Sequence, residues 1–133
     1  METVELVFEE HGVATNPPLL ILHGFFAYSR NWRQIAEKLA QTYHVYTLDA
    51  RNHGASPHHA IMDYPSMAAD VARFIEQHEL STVTLLAHSM GGKTAMWFAL
   101  TYPHLLEQLI VVDIAPVPYK HSFAPLVQTL QNL

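Results

Sequence analysis

An α/β fold, with a mostly parallel sheet flanked by helices, follows from three features of the sequence. Short apolar runs of strand type alternate with segments whose apolar residues recur at helical spacing, and parallel neighbours need such crossovers. The run Leu19 to Leu22 is apolar at every position, as a strand covered on both faces must be. Each later run ends in Gly or polar residues, the composition of a ligand-binding sheet edge rather than of packing.

Val4, Leu6 and Phe8 fall on alternate positions and predict a half-exposed first strand, with Glu9 to Gly12 as its turn. Leu19 to Leu22 follows Pro17-Pro18 and stops at His23-Gly24. Trp32, Ile35, Ala36 and Leu39 keep helical spacing, with Ser29 as N-cap. His44 to Leu48 predicts a strand ending in Asp49, and Asn52 to Pro57 has loop chemistry. Ala68, Val71, Ala72 and Ile75 mark a second helix starting after Pro65. Thr82 to Ala87 predicts the next strand, and Gly92 to Tyr102 a largely buried helix stopped by Pro103. Leu109 to Ile114 closes the pattern, Pro116 and Pro118 interrupt it, and Leu126 to Leu133 begins another helix or a lid.

Composition narrows the function. The 133 residues make one domain at most, or part of one. Half are apolar and 14% charged, enough for a core and unlike a disordered tail. The absence of cysteine excludes disulfides, cysteine metal sites and a cysteine nucleophile. A net charge of −5 with scattered Lys and Arg argues against a nucleic-acid surface. The longest apolar run, Ala95 to Leu100, is too short to span a bilayer, and no apolar leader opens the sequence. A soluble, cytoplasmic protein without a membrane partner is the expectation. Oligomeric state is not legible.

Ser89 stands at a strand-to-helix junction with small residues, Ala87 and Gly91, two positions to either side. That is the pattern of a nucleophile elbow, whose tight turn demands small neighbours. Ala87 replaces the usual glycine and still meets the steric need. The Met90 N–H, at the start of the helix, then faces a developing oxyanion with the helix field behind it. The plainer alternative is a serine that only caps its helix. An elbow also needs a second N–H from the loop after an earlier strand. Gly24 lets the backbone turn there, and Phe25 N–H is the candidate donor. Phe25 and Phe26 can line an acyl pocket, Phe26 being assigned to substrate against the alternative of a core residue.

In this order, His23-Gly24-Phe25-Phe26, Asp49 to Ser56 and Ala87 to Gly92 resemble the motifs of α/β-hydrolases. The type is that of small bacterial esterases and thioesterases, similar to the abhydrolase-domain-11 family, and the resemblance runs from about Leu19 to Pro116. It implies Ser89 as nucleophile and the N–H groups of Phe25 and Met90 as oxyanion hole. The triad order is serine, acid, histidine. Asp113 follows the strand after the elbow and is assigned as the acid, although some members place the acid one strand later. Asp49 and Arg51 to Ser56 resemble the structural loop of the family, with an ion pair between Asp49 and Arg51 left open. His88 packs beside the serine and is not the base.

The base itself is missing. In this fold it follows the final strand, and no histidine comes after His121. The expectation is therefore the N-terminal part of a hydrolase: residues 1–116 from the core, 117–133 the start of a lid, and the rest, with the histidine, absent. The implied substrate is a small carboxylic ester or acyl thioester, acyl-CoA included, with no cofactor and no metal. A metal site at His53, His58 and His59 is not expected, since adjacent histidines in a polar loop seldom aim at one ion and no second carboxylate cluster supports it. Three rivals stand beside this reading. One is a C–C bond hydrolase or lyase of the same fold. Another is a non-catalytic binding module. The third is a P-loop nucleotide hydrolase, since Ala87 to Thr94 fits a relaxed Walker A pattern with Lys93 and Thr94, and Asp113 could then lie near Mg²⁺.

Overall fold

The computed structural model describes residues 3–23, 33–52, 56, 63–88 and 90–112. Among the described residues the elements run in the order β1 (Phe8–His11), β2 (Pro18–Leu22), α1 (Arg33–Leu39), β3 (His44–Leu48), α2 (Tyr64–Gln77), β4 (Val83–His88), α3 (Met90–Thr101), a 3₁₀ turn (Pro103–Leu105) and β5 (Leu106–Val112). The strands form one sheet in the order β1-β3-β2-β4-β5. β3, β2, β4 and β5 are parallel, and β1 joins β3 antiparallel. The α/β reading therefore holds in class, strand direction and alternation.

Strand periodicity divides the core between the two faces of the sheet. Leu20, Leu22, Tyr46, Leu48, Leu85 and Ala87 pack with Val71, Phe74 and Ile75 of α2 and with Ala95 and Phe98 of α3. Leu19, Ile21, Val45, Leu86 and Ile110 point the other way, onto Ala36 of α1. β2 and β4 are central and buried along nearly their whole length. Each fully buried Leu or Ile there contributes about 1.5–3 kcal/mol of transfer free energy.

Four elements start two or more residues from where the sequence places them. The first strand is Phe8–His11, not Val4 to Phe8, and the expected turn at Glu9 to Gly12 is largely strand. Leu6 is buried as its alternation requires, but the backbone around it is held by side chains. Val4 N–H donates to Asp70 Oδ1 at 2.9 Å and Val7 N–H to Ser56 Oγ at 2.8 Å. Helix α2 begins at Tyr64, ahead of Pro65, because a first-turn proline forfeits no helical hydrogen bond. α3 begins at Met90 rather than Gly92, directly after β4. β5 begins three residues earlier than its apolar run, at Leu106. Ser29 and Trp32, and the segment beyond Pro116, lie outside the described residues.

Candidate active site

The carboxyl ends of the parallel strands line up in one row. Leu22 pairs with Leu48 and with Ala87, and Ala87 pairs with Val111. All four motif segments thus start within two residues of a single line across the sheet, at His23, Asp49, His88 and just past Val112. In an open α/β sheet this is the edge where ligands bind.

At the centre of the row, β4 ends at His88 and α3 starts at Met90, so a single residue, Ser89, separates strand from helix. Ala87 is fully buried. Gly91 is the tighter constraint: a Cβ there would stand 2.2 Å from Leu22 O and 2.8 Å from His23 O. No side chain fits, so the first turn of α3 rests directly on the end of β2. On its other side, a Cβ at Gly92 would touch Val111 Cγ1 at 3.4 Å. The helix start is thereby wedged between the two strands that flank β4. Its N-terminus carries roughly half a positive elementary charge, favourable to an anion at the junction.

The loop after β2 is tied to the loop after β3. Ala50 N–H donates to His23 Nε2 at 3.1 Å. This occupies the Nε2 lone pair and leaves Nδ1 to carry the ring proton, which makes buried His23 a structural link and not a base. Ser56 Oγ donates to Asp49 O while accepting from Val7 N–H. The scaffold reading of Asp49 to Ser56 is supported at these residues. The sequence reading did not name one partner of this loop. Arg51 pairs with Asp70 of α2, Nε to Oδ2 at 2.8 Å and Nη2 to Oδ1 at 2.9 Å. Both groups are buried. Asp70 sits 19 positions away on α2, and its two carboxylate oxygens meet the guanidinium at two points. The signal for it was a lone carboxylate inside the apolar stretch Met67 to Ala72, where an acid needs a buried partner.

A small cavity borders the junction, lined by Leu22, His23, Arg51, Asp70, Gly91 and Thr94. His88 is buried at the end of β4. Met90 is the first residue of α3, as the oxyanion assignment requires of its backbone. Ser89, Phe25, Phe26 and Asp113 lie outside the described residues, as do His53, His58 and His59. Among the described residues, no group of His, Asp or Glu could hold a metal ion, and no helix is long and apolar enough to cross a membrane.

The same geometry removes the P-loop rival. A phosphate loop needs several residues free to wrap the anion between strand and helix. Here Ala87 and His88 are strand, Met90 to Thr94 are helix, and Lys93 is exposed with Nζ 5.8 Å from the Tyr64 ring centre.

Comparison with known proteins agrees with this layout. A family model described as alpha/beta hydrolase fold matches residues 17–132. The sn-1-specific diacylglycerol lipase ABHD11 of Xenopus laevis is 50% identical over 109 residues, 80% of this chain and 35% of the relative. An abhydrolase domain-containing protein of Schizosaccharomyces pombe is 42% identical over 120 residues, covering 87% and 44%. Among solved structures, a marine microorganism esterase superposes with a TM-score of 0.82 at 43% identity, over 96% of this chain and 48% of that one. The chain thus spans a third to a half of the length of these relatives.

Proposed function

The chain belongs to the alpha/beta hydrolase fold family, related to the abhydrolase-domain-11 proteins, and from this we propose that it carries the nucleophile half of a serine esterase site. The observation that carries the proposal is the junction itself: strand, one serine, helix, with Gly91 pressed on the Leu22 carbonyl. A serine that merely capped its helix would need no such contact.

In this reading Ser89 Oγ attacks the acyl carbonyl and gives its proton to a histidine oriented by Asp113. The carbonyl oxygen, now negative, is held by the N–H groups of Phe25 and Met90. Collapse of this intermediate expels the alcohol or thiol, which takes the proton back from the histidine. Water, deprotonated by the same histidine, attacks the acyl-enzyme, frees the acid and restores Ser89. The leaving group is an alcohol or a thiol such as coenzyme A. The lipase and esterase names of the relatives support ester cleavage. Phe26 is assigned to the acyl pocket.

The test uses the natural protein. A fluorophosphonate probe should add once, at Ser89, and p-nitrophenyl acetate hydrolysis should fall by at least 10³-fold in Ser89→Ala. An adduct at another residue, or hydrolysis that survives the substitution at an unchanged melting temperature, would falsify the proposal.

A further inference from the structure

His23 stands at a three-way contact. It follows Leu22 at the end of β2 and precedes Gly24-Phe25, so it opens the loop that carries one proposed oxyanion donor. Its carbonyl faces Gly91, where a Cβ would stand 2.8 Å from His23 O, one residue from the other donor, Met90. Its ring reaches the loop after β3, where Nε2 accepts from Ala50 N–H at 3.1 Å. The residue is buried, with 2% exposure.

The Ala50 end of that bond is braced. Asp49 N–H donates to Val7 O at 2.9 Å, and Asp49 O accepts from Ser56 Oγ. Arg51 is held by Asp70 of α2. Ala50 lies between these two anchored residues, so failure of the bond falls on His23. The bond needs a lone pair on Nε2, which only the neutral ring has. Protonation sets a second N–H against that of Ala50 and puts a charge into a buried site. Histidine ordinarily makes this change between about pH 5 and pH 8. The charged and titratable neighbours are Asp49 and Arg51, which flank Ala50, Asp70 of α2, which borders the same cavity, and His88, which follows the Ala87 that pairs with Leu22. The segment before β1 and helix α3 bring uncharged Leu6, Gly91 and Thr94 to that cavity. Whatever the balance of these charges, a ring protonated on both nitrogens has no acceptor for Ala50.

We propose that His23 is a positioning residue that seats the oxyanion loop only while its ring is neutral, so that acid releases the loop and slows ester cleavage by a route separate from the catalytic base. The effect on rate rests on the esterase reading above. The link between His23 and Ala50 rests on geometry alone.

The test measures kcat/KM of the natural protein between about pH 4.5 and pH 8, with His23→Gln and His23→Asn beside the parent. The Gln side-chain oxygen can stand in for Nε2 and does not titrate. The Asn side chain is one methylene shorter and does not reach Ala50. On the acid side the parent should fall with a slope approaching two, one proton for the catalytic base and one for His23. His23→Gln should keep kcat within about threefold at about pH 8 and fall with a slope of one. His23→Asn should lose about 10²-fold in kcat at every pH, with KM changed less than about threefold, as a misplaced site does. In NMR spectra of the ¹⁵N-labelled protein, the Ala50 amide should titrate together with the His23 ring and stay in place in His23→Gln. Equal slopes in the parent and His23→Gln overturn the proposal. So does full activity of His23→Asn, or an Ala50 amide that does not follow the ring. Fluorophosphonate labelling of Ser89 is scored in the same samples. With labelling present and equal slopes, this inference fails and the esterase reading stands. With labelling absent, the esterase reading fails and the Ala50 signal alone decides the link.

Discussion

At Gly91 one methyl group separates a working junction from a broken one. Its Cβ would lie 2.2 Å from a backbone oxygen, and the backbone of β2 cannot move aside as a side-chain tip would. Gly91→Ala must lift the start of α3 off β2, carrying the Met90 N–H with it. Overpacking of this kind costs about 1–3 kcal/mol, and if the Met90 N–H is the oxyanion donor proposed above, its displacement costs about 10²-fold in kcat. Urea unfolding and steady-state kinetics on the natural protein check both, and a neutral alanine would show that the contact does not position the site. The Arg51–Asp70 pair makes a second prediction at this scale. Asp70→Asn keeps an acceptor for Val4 N–H but removes the carboxylate charge that faces the buried Arg51 guanidinium, at about 3–5 kcal/mol. Adding Arg51→Met should restore part of that loss, and if it restores none the pair is not what holds α2 under the loop. Gly91 was legible from its place two residues after Ser89. Its contact with Leu22 was not, because nothing local in a sequence says which strands lie side by side.

Among elements, boundaries follow from who satisfies the backbone. Val4 to Phe8 alternates like a strand, but Asp70 and Ser56 capture its amides and the ladder begins only at Phe8. Side chains 49 and 66 positions away decide this, beyond the reach of a periodicity. Helix α2 shows local rules holding. Asp63 caps it, accepting from Ser66 N–H at 2.8 Å, and Pro65 occupies the first turn. Hydrogen bonds from the Ser66 side chain, then its backbone, hold the Asp63 carboxyl below its usual 3.8. The folded value lies below the unfolded one, so this stabilisation is present above about pH 3.8 and fades as pH falls through the folded value. The stability gap between the parent chain and Asp63→Ala, from urea midpoints, should therefore narrow below pH 3.8. A gap constant from pH 6 to pH 2.5 would mean that the cap contributes no charge-dependent stability.

For the molecule as a whole, alternation and strand-end chemistry were enough to bring the strand ends that precede the motif segments to one edge of a parallel sheet. They work because crossover connections force parallel strands to finish on the same side. Strand order escaped the sequence, since β2 lies between β3 and β4 although β3 follows it in the chain. The two unlike edges escaped it too, because edge character appears only once the order is known. Yet they give the sheet a direction in time. Synthesis lays down β2, β3 and the closed β1 border first, and β4 and then β5 add on the opposite side in the order in which they are made. At roughly 5–20 residues per second, the ribosome releases each new strand to a border that is already waiting. A sheet that could grow at both borders would offer a nascent chain two places to join. Here β4 and β5 add on the side away from β1, whose short acidic strand is a poor template for a further one.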